Sequence, residues 1–169
     1  MKFYQRRSFA LVVLILAVVL SSVYGISKQP APLPEVTYHH WIWDEADLLD
    51  EESEQAIKNY NAAWDHDYGA VVAVAAVEKK DLRGWKTENF AEKLGEKWGL
   101  GDNDMILILI RGDHYYVDRG TRTAALMTDT QQNKLRTAIE KDYYDGDYSA
   151  AAVDFFRQAD IFYAQAMGR

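Results

Sequence analysis

Two uninterrupted apolar runs constrain the fold of this chain more than any other feature. They are AVVAVAAV, from Ala70 to Val77, and MILILI, from Met105 to Ile110. Each run is apolar at successive positions, which is typical of a strand covered on both faces. Between them, from Trp85 to Trp98, apolar side chains recur at helical spacing until glycines end the helix. Strand, helix and strand in this order predict a right-handed βαβ unit with parallel strands.

A hairpin is predicted after the second run. Arg111 to His114 forms a tight turn, and Tyr115 to Arg119 returns as an antiparallel strand. A loop of two residues, Gly112 and Asp113, is expected. It would pair Ile110 with Tyr115, Leu107 with Asp118 and Asp104 with Thr121.

Helices are predicted on both sides of this sheet. Asp50 caps the first, which ends at Gly69, and Thr128 caps another that runs to about Lys141. The last helix spans Ser149 to Ala166, and four of its side chains are expected to point largely inward: Val153, Phe156, Ile161 and Phe162. Residues 38–43 are expected to be a short strand or an extended lead-in, and residues 121–127 to be irregular.

These elements together predict an α/β fold. It is a layered sandwich in which a small mixed β-sheet, made of the βαβ unit and the antiparallel hairpin strand, is flanked by about four helices. An N-terminal hydrophobic helix is expected to precede it. The predicted domain is residues 38–169, and residues 28–37 form a linker that contains all three prolines of the chain.

Residues 1–27 have the pattern of an export signal. The span from Ser8 to Ser27 lacks charged side chains and follows Lys2, Arg6 and Arg7. Twenty helical residues extend about 30 Å, enough to cross a bilayer. Two interpretations stay open: a retained signal-anchor, or a signal peptide cleaved near Gly25. Basic residues before the apolar run predict that the following domain lies outside the cytoplasm, at the cell membrane or secreted after cleavage.

Composition narrows the range of functions. The chain has no cysteine, so neither disulfides nor thiol chemistry are expected. All 26 acidic residues follow position 34, and the net charge beyond that position is −11. This negative charge disfavours binding to nucleic acid and favours binding to cations or basic partners. Nucleotide-binding loops, nucleophile elbows and metalloprotease motifs are absent from the sequence.

Five short motifs follow one another in an order that resembles the TPM domain family. They are WDEADLL at 43–49, Phe90-Ala91 with WGLG at 98–101, Asp102-Asn103 before an apolar strand, Thr128-Asp129, and GDY at 146–148. The members of this family include an acid phosphatase of the thylakoid lumen, photosystem II repair factors and a membrane-anchored receptor accessory protein. The resemblance therefore implies an α/β domain outside the cytoplasm, with either phosphatase or accessory function.

This chain departs from the family pattern at three places. The loop between Gly101 and Asp102 is shorter, and Asp104 stands where the family has the glycine of D-N-G. Ala124 replaces an acidic residue in the segment 120–125. Because two of these departures fall among the polar motif residues, no residue is assigned a catalytic role.

The predicted topology brings polar residues to the amino ends of the parallel strands. Asp102, Asn103 and Asp104 enter the second strand there, beside the segment 65–67 and the end of the hairpin strand. Carboxylates that converge from separate segments repel each other unless a cation lies among them, and Ca²⁺ or Mg²⁺ suits such oxygen ligands. The resemblance implies that Asp44 and Asp129 join this metal set. Arg119 and Arg122 are the candidates for binding an anionic ligand.

Two alternatives accompany the cation site. Asp and Asn are ordinary turn formers before a strand, and the two arginines would then simply neutralise them. The opposite edge of the sheet also carries a more basic group suited to an anion, which comprises Glu78, Lys79, Lys80, Arg111 and His114.

The sequence thus supports two functional hypotheses. The first is a membrane-tethered interaction or assembly module that binds other membrane or extracytoplasmic proteins, with or without a divalent cation. The second, implied by the resemblance, is a metal-assisted phosphatase in which Asp44, Asp102 and Asp104 hold the ion.

Overall fold

A four-stranded sheet forms the centre of the domain. The structure, a computed structural model, describes residues 13–22, 32–33, 41–82 and 84–168. The strands are β1 (Ile42–Asp44), β2 (Val72–Val77), β3 (Met105–Ile110) and β4 (Tyr116–Arg119), in the spatial order β1-β2-β3-β4. The first three strands are parallel, and β4 is antiparallel to β3. The mixed sheet and the βαβ unit are confirmed.

Five α-helices surround the sheet within the described part of the domain. They are α1 (Glu51–Tyr68), α2 (Thr87–Lys97), α3 (Thr121–Leu126), α4 (Asp129–Tyr143) and α5 (Tyr148–Ala166), with a 3₁₀ turn at Lys79–Leu82. The predicted caps are confirmed: the side chain of Asp50 accepts from the amide of Ser53, and Thr128 forms a capping box with Gln131. Gly69 ends α1 in the left-handed conformation, which glycine adopts without steric cost.

The helices form one layer on each face of the sheet. Helices α1, α4 and α5 cover the face that includes Leu107 and Leu109, and α2 covers the face that includes Ile106 and Ile108. Every residue of β2 and β3 is buried. This burial on both faces explains why the two strands have continuous rather than alternating apolar sequences.

The hairpin between β3 and β4 differs from the prediction by one residue. Leu107 pairs with Val117, and Ile106 pairs with Asp118, a register that leaves three residues rather than two, 111–113, between Ile110 and the position opposite it. Gly112 has a φ of +66° in that loop, a left-handed conformation that glycine adopts without steric cost. The physical reason is burial: a slip of one residue would place Asp118 instead of Val117 against the larger core.

Two predictions about helices were wrong. Residues 121–126, expected to be irregular, form α3, because the carbonyl oxygen of Asp102 accepts the amides of its first turn. In α5, Ile161 is 43% exposed, and Phe155 is buried in its place. Phe156 and Phe162 are buried as expected, whereas Val153 is only half-buried.

The N-terminal predictions are covered only in part. Residues 13–22 are helical and exposed. The rest of segment 1–27, most of the predicted linker and residues 38–40 lie outside the described residues. Among the residues that are described, no helix combines the length and the apolar character needed to cross a bilayer.

Candidate functional site

Asp104 joins three segments at the amino edge of the sheet. Its Oδ1 accepts from the amide of Val71, 2.8 Å away, just before β2. Its Oδ2 accepts from the amide of Gly101 at 2.6 Å. The carbonyl oxygen of Asp104 also accepts from Gly120, just after β4. Both carboxylate oxygens of Asp104 therefore satisfy backbone groups of the domain itself.

Asp102 organises the start of α3. Its Oδ1 accepts from the hydroxyl of Thr121 at 2.6 Å. Its carbonyl oxygen accepts from the amides of Arg122 and Thr123, each 3.0 Å away. Since the first amides of a helix lack partners within the helix, these bonds stabilise α3 at a place where no side chain caps it.

Asn103 connects the same loop to α1 and α5. Its Nδ2 donates to the carbonyl oxygen of Gly69 at 3.1 Å. Its own carbonyl oxygen accepts from the hydroxyls of Thr123 and Tyr163, at 2.6 and 3.0 Å. The segment 102–104 thus links five elements of the fold, a role that the prediction of an ordinary turn captured only in part.

Partial burial shapes the electrostatics of this edge. Desolvation raises the pKa of Asp104, although the amides of Gly101 and Val71 act in the opposite direction. The neighbouring charge of Asp65 raises this pKa further. Burial also raises the pKa of Tyr163, and the charge of Asp104 adds to that effect. Tyr163 stays neutral, and its hydroxyl donates a hydrogen bond to the carbonyl oxygen of Asn103.

Asp44 does not lie at this edge, which corrects the prediction. It pairs with Ala76 near the carboxyl end of β2, about five strand residues or roughly 16 Å from Asp104. The topological reason is that β1 is parallel to β2, so its last residue lies at the carboxyl edge. The Asp44 carboxylate accepts from the amides of Leu48 and Leu49 at 2.7 to 3.0 Å.

The remaining candidate residues lie on three different elements, α4, α3 and β4. Asp129 occupies the first turn of α4, and Arg122 is exposed. The guanidinium of Arg119 contacts the sulfur of Met127 at 3.5 Å. Across residues 41–82 and 84–168, no three His, Asp or Glu side chains are grouped as metal ligands. Because Asp44 lies at the opposite edge of the sheet, the five predicted ligands do not surround a single cation in this arrangement.

Internal bonds to carboxylates occupy Lys79, Arg111 and His114 at the carboxyl edge. Arg111 Nε lies 2.8 Å from Glu78 Oε1, and the guanidinium also donates to the carbonyl oxygen of Ala46. Asp113 lies 2.7 Å from both Lys79 Nζ and His114 Nδ1. The bonds from Lys79 and His114 hold the pKa of Asp113 well below its usual range.

Two open clefts border the end of the sheet that contains β4. One, of about 320 Å³, adjoins Asp102 and Asp104 and is also lined by Asp118 and Arg119. The other, of about 430 Å³, lies between β4 and α4. We call it the β4–α4 groove, and its walls include Tyr115, Val117, Arg119, Met127, Arg136 and Tyr144.

Sequence reasoning missed the β4–α4 groove. A signal for it exists, since Gln132, Arg136, Glu140 and Tyr144 recur every fourth residue and all line the groove. Such a stripe marks one face of a helix but does not identify its neighbour. Only the fold places that face beside an edge strand.

Comparison with known proteins agrees with this architecture. The family model of the TPM domain matches residues 42–160. The fold is similar to that of the N-terminal domain of a P. gingivalis protein, with a TM-score of 0.67, 17% identity, and coverage of 77% of this chain and 85% of that one. An N-terminal domain from Corynebacterium glutamicum gives 0.59, 18% identity, and coverage of 78% and 84%. The BA42 protein of Bizionia argentinensis gives 0.61, 16% identity, and coverage of 73% and 87%.

No curated protein sequence matches the chain. At these identities the solved structures support the fold alone. The family model, in contrast, spans most of the chain and includes both edges of the sheet. The chain therefore belongs to the TPM domain family.

Proposed function

We propose that this TPM domain is an interaction or assembly module outside the cytoplasm, held at the membrane by its N-terminal apolar segment. The β4–α4 groove carries the proposal. It offers about 430 Å³ of open space and combines aromatic side chains with arginines, a composition that is enriched at protein interfaces. The acidic side chains of the amino edge, in contrast, already bond to groups of the domain itself, Asp104 to two backbone amides and Asp102 to the hydroxyl of Thr121.

Site-specific photo-cross-linking tests this function. A photoreactive phenylalanine replaces Gln132, an exposed residue in the groove, in the full chain within membranes of the native host. The matched control carries it at Lys93, an exposed residue of α2 on the other face of the sheet. We expect one discrete protein adduct from position 132 and none from position 93. Identical adducts from both positions, or none from either, would contradict the proposal.

Membrane tethering has its own test. If residues 1–27 form a retained anchor, the full chain stays in the membrane pellet after alkaline carbonate extraction, and a chain that begins at residue 28 does not. Release of the full chain, with a new N-terminus near residue 26, would show a cleaved signal peptide instead.

The second candidate function is phosphatase activity, which membership of the TPM domain family suggests. One observation favours it: the cleft of about 320 Å³ beside Asp102 and Asp104 also contains Arg119, a side chain suited to a phosphate group. Hydrolysis of p-nitrophenyl phosphate, measured with Mg²⁺ or Ca²⁺ present, should then fall sharply in Arg119→Ala. Equal rates for this variant and the unmodified chain would exclude phosphate binding at Arg119.

A further inference from the structure

The outer edge of β4 has unpaired backbone groups. Gly120 donates to the carbonyl oxygen of Asp104, its partner in the β3–β4 register. Hydrogen-bonded and non-hydrogen-bonded pairs alternate along an antiparallel ladder. The pair of Val117 and Leu107 is therefore of the second kind, and the N–H and C=O of Val117 point away from β3. Since β4 is the last strand of the sheet, they face open space.

The side chains beside this edge are arranged for an extended ligand. Tyr115, Val117 and Arg119 alternate along the strand and share one face, and all three line the β4–α4 groove. Tyr115 and Val117 pack against the larger core. A strand added next to β4 would therefore place every second side chain in the groove, opposite these three residues.

The charges in the groove differ between its two ends. Arg119 and Arg136 have no ion-pair partner among the described residues, and their guanidinium groups donate hydrogen bonds to the sulfur of Met127 and to Asn133. Glu140 lies one helical turn beyond Arg136 and accepts from the hydroxyl of Tyr115 at 3.2 Å. The end of the groove at Arg119 is therefore cationic, although the domain as a whole is acidic.

We propose that the β4 edge binds an extended segment of a partner protein as a fifth strand, with an acidic side chain of that segment opposite Arg119 and Arg136. The inference rests on the proposed interaction function and specifies the class of partner. Strand addition uses backbone bonds for affinity and alternate side chains for specificity. The edge offers few bonds, because Asp118 Oδ1 already accepts the amide of Arg119, so contacts in the groove carry the discrimination.

A designed peptide tests this inference directly. The probe is acetyl-Thr-Glu-Thr-Val-Thr-Val-amide, whose glutamate lies opposite Arg119 when it pairs antiparallel with β4. Binding to the full chain in detergent micelles is followed by NMR. We expect shifts at the amide of Val117 and cross-strand contacts to β4. A matched probe with lysine in place of glutamate should bind at least tenfold more weakly, as should one with N-methylated valines.

Charge reversal in the protein completes the test. Arg136→Glu should abolish the preference, because it leaves one cation and one anion opposite the probe's charged side chain, so that the two probes bind about equally. Lys134→Glu is the control, since it makes the same charge change on α4 outside the groove. Equal binding of the N-methylated probe, or an unshifted Val117 amide, would overturn strand addition. If position 132 still cross-links to a partner in that case, the interaction function stands and only the mode of binding is wrong.

Discussion

The acidic side chains at the two edges of the sheet have different kinds of bonding partner. At the amino edge, the side chains of the segment 102–104 bond to backbone groups and to one hydroxyl, without an ion pair. At the carboxyl edge, Glu78 and Asp113 form ion pairs with Arg111 and Lys79. The difference shows that the carboxylates of the amino edge bond mainly to backbone amides, whereas Glu78 and Asp113 at the carboxyl edge bond to basic side chains.

A second contrast concerns solvent. Asp104 is half-buried and bonds to backbone amides, whereas in the ion pairs of the carboxyl edge the basic partners, Lys79 and Arg111, are exposed. Desolvated hydrogen bonds to a charge contribute more to stability than exposed ion pairs, which water and salt screen. Substitutions at the amino edge should therefore cost more than those among the ion pairs of the carboxyl edge.

The largest effect is expected for Asp104→Ala. This change leaves the amides of Val71 and Gly101 without an acceptor, and the free energy of unfolding should fall by about 3 kcal/mol. Asp102→Ala removes a single hydroxyl bond and should cost about 1 kcal/mol. Urea denaturation of both variants provides the measurement. Equal losses would mean that the two carboxylates share the role.

Tyr143→Phe should have the next largest effect. The buried hydroxyl of Tyr143 donates to the carbonyl oxygen of Ile110 at 2.8 Å and accepts from its amide at 3.0 Å, which ends the β3 ladder at the carboxyl edge. Loss of both bonds should cost about 2 kcal/mol. Tyr144→Phe is the control. Because that side chain is exposed, this variant should leave the midpoint of urea denaturation unchanged. A neutral Tyr143→Phe would show that water replaces the hydroxyl.

A smaller effect is expected for Arg111→Ala. The half-exposed guanidinium pairs with Glu78 and contacts the carbonyl oxygen of Ala46, so its loss should cost about 1 kcal/mol. Because the ion pair is screened, the cost should shrink in 1 M NaCl, whereas that of Asp104→Ala should not. Thermal melts of both variants at two salt concentrations distinguish the edges. The same salt response in both would contradict the comparison.

The smallest effects concern pH, and they should have opposite signs. The pKa of Asp113 is lowered from 3.8, so its contribution is present above that pH and is lost as the pH falls further. The pKa of Asp104 is raised from 3.8, so its contribution declines as the pH rises above that value.

Denaturation of two asparagine variants between pH 2.5 and 6 measures this difference. Asp113→Asn should lose less stability than the unmodified chain as the pH falls below 4. Asp104→Asn should remove a decline that occurs as the pH rises above 4. Slopes of the same sign in both variants would refute the assignment of the two shifts.

The sequence predicted most of the fold because its strongest signals are local. The continuous apolar strands, the caps at Asp50 and Thr128 and the stop at Gly69 each depend on a few neighbouring residues. The hairpin register failed because two-residue and three-residue loops are both compatible with the turn sequence. The choice between the two registers depends on the burial of Val117 rather than Asp118 against the larger core, and that core is formed by residues distant in the chain.

The chain by itself determined the layered α/β architecture and the acidic character of the domain, since periodicity and charge are properties of its residues. Tertiary structure alone decided the partners of those residues. It placed Asp44 at the far edge, because β1 pairs parallel to β2, and it directed Asp104 to backbone amides. It also brought a polar stripe of α4 beside the free edge of β4. Such juxtapositions depend on contacts between distant segments, which no local pattern specifies.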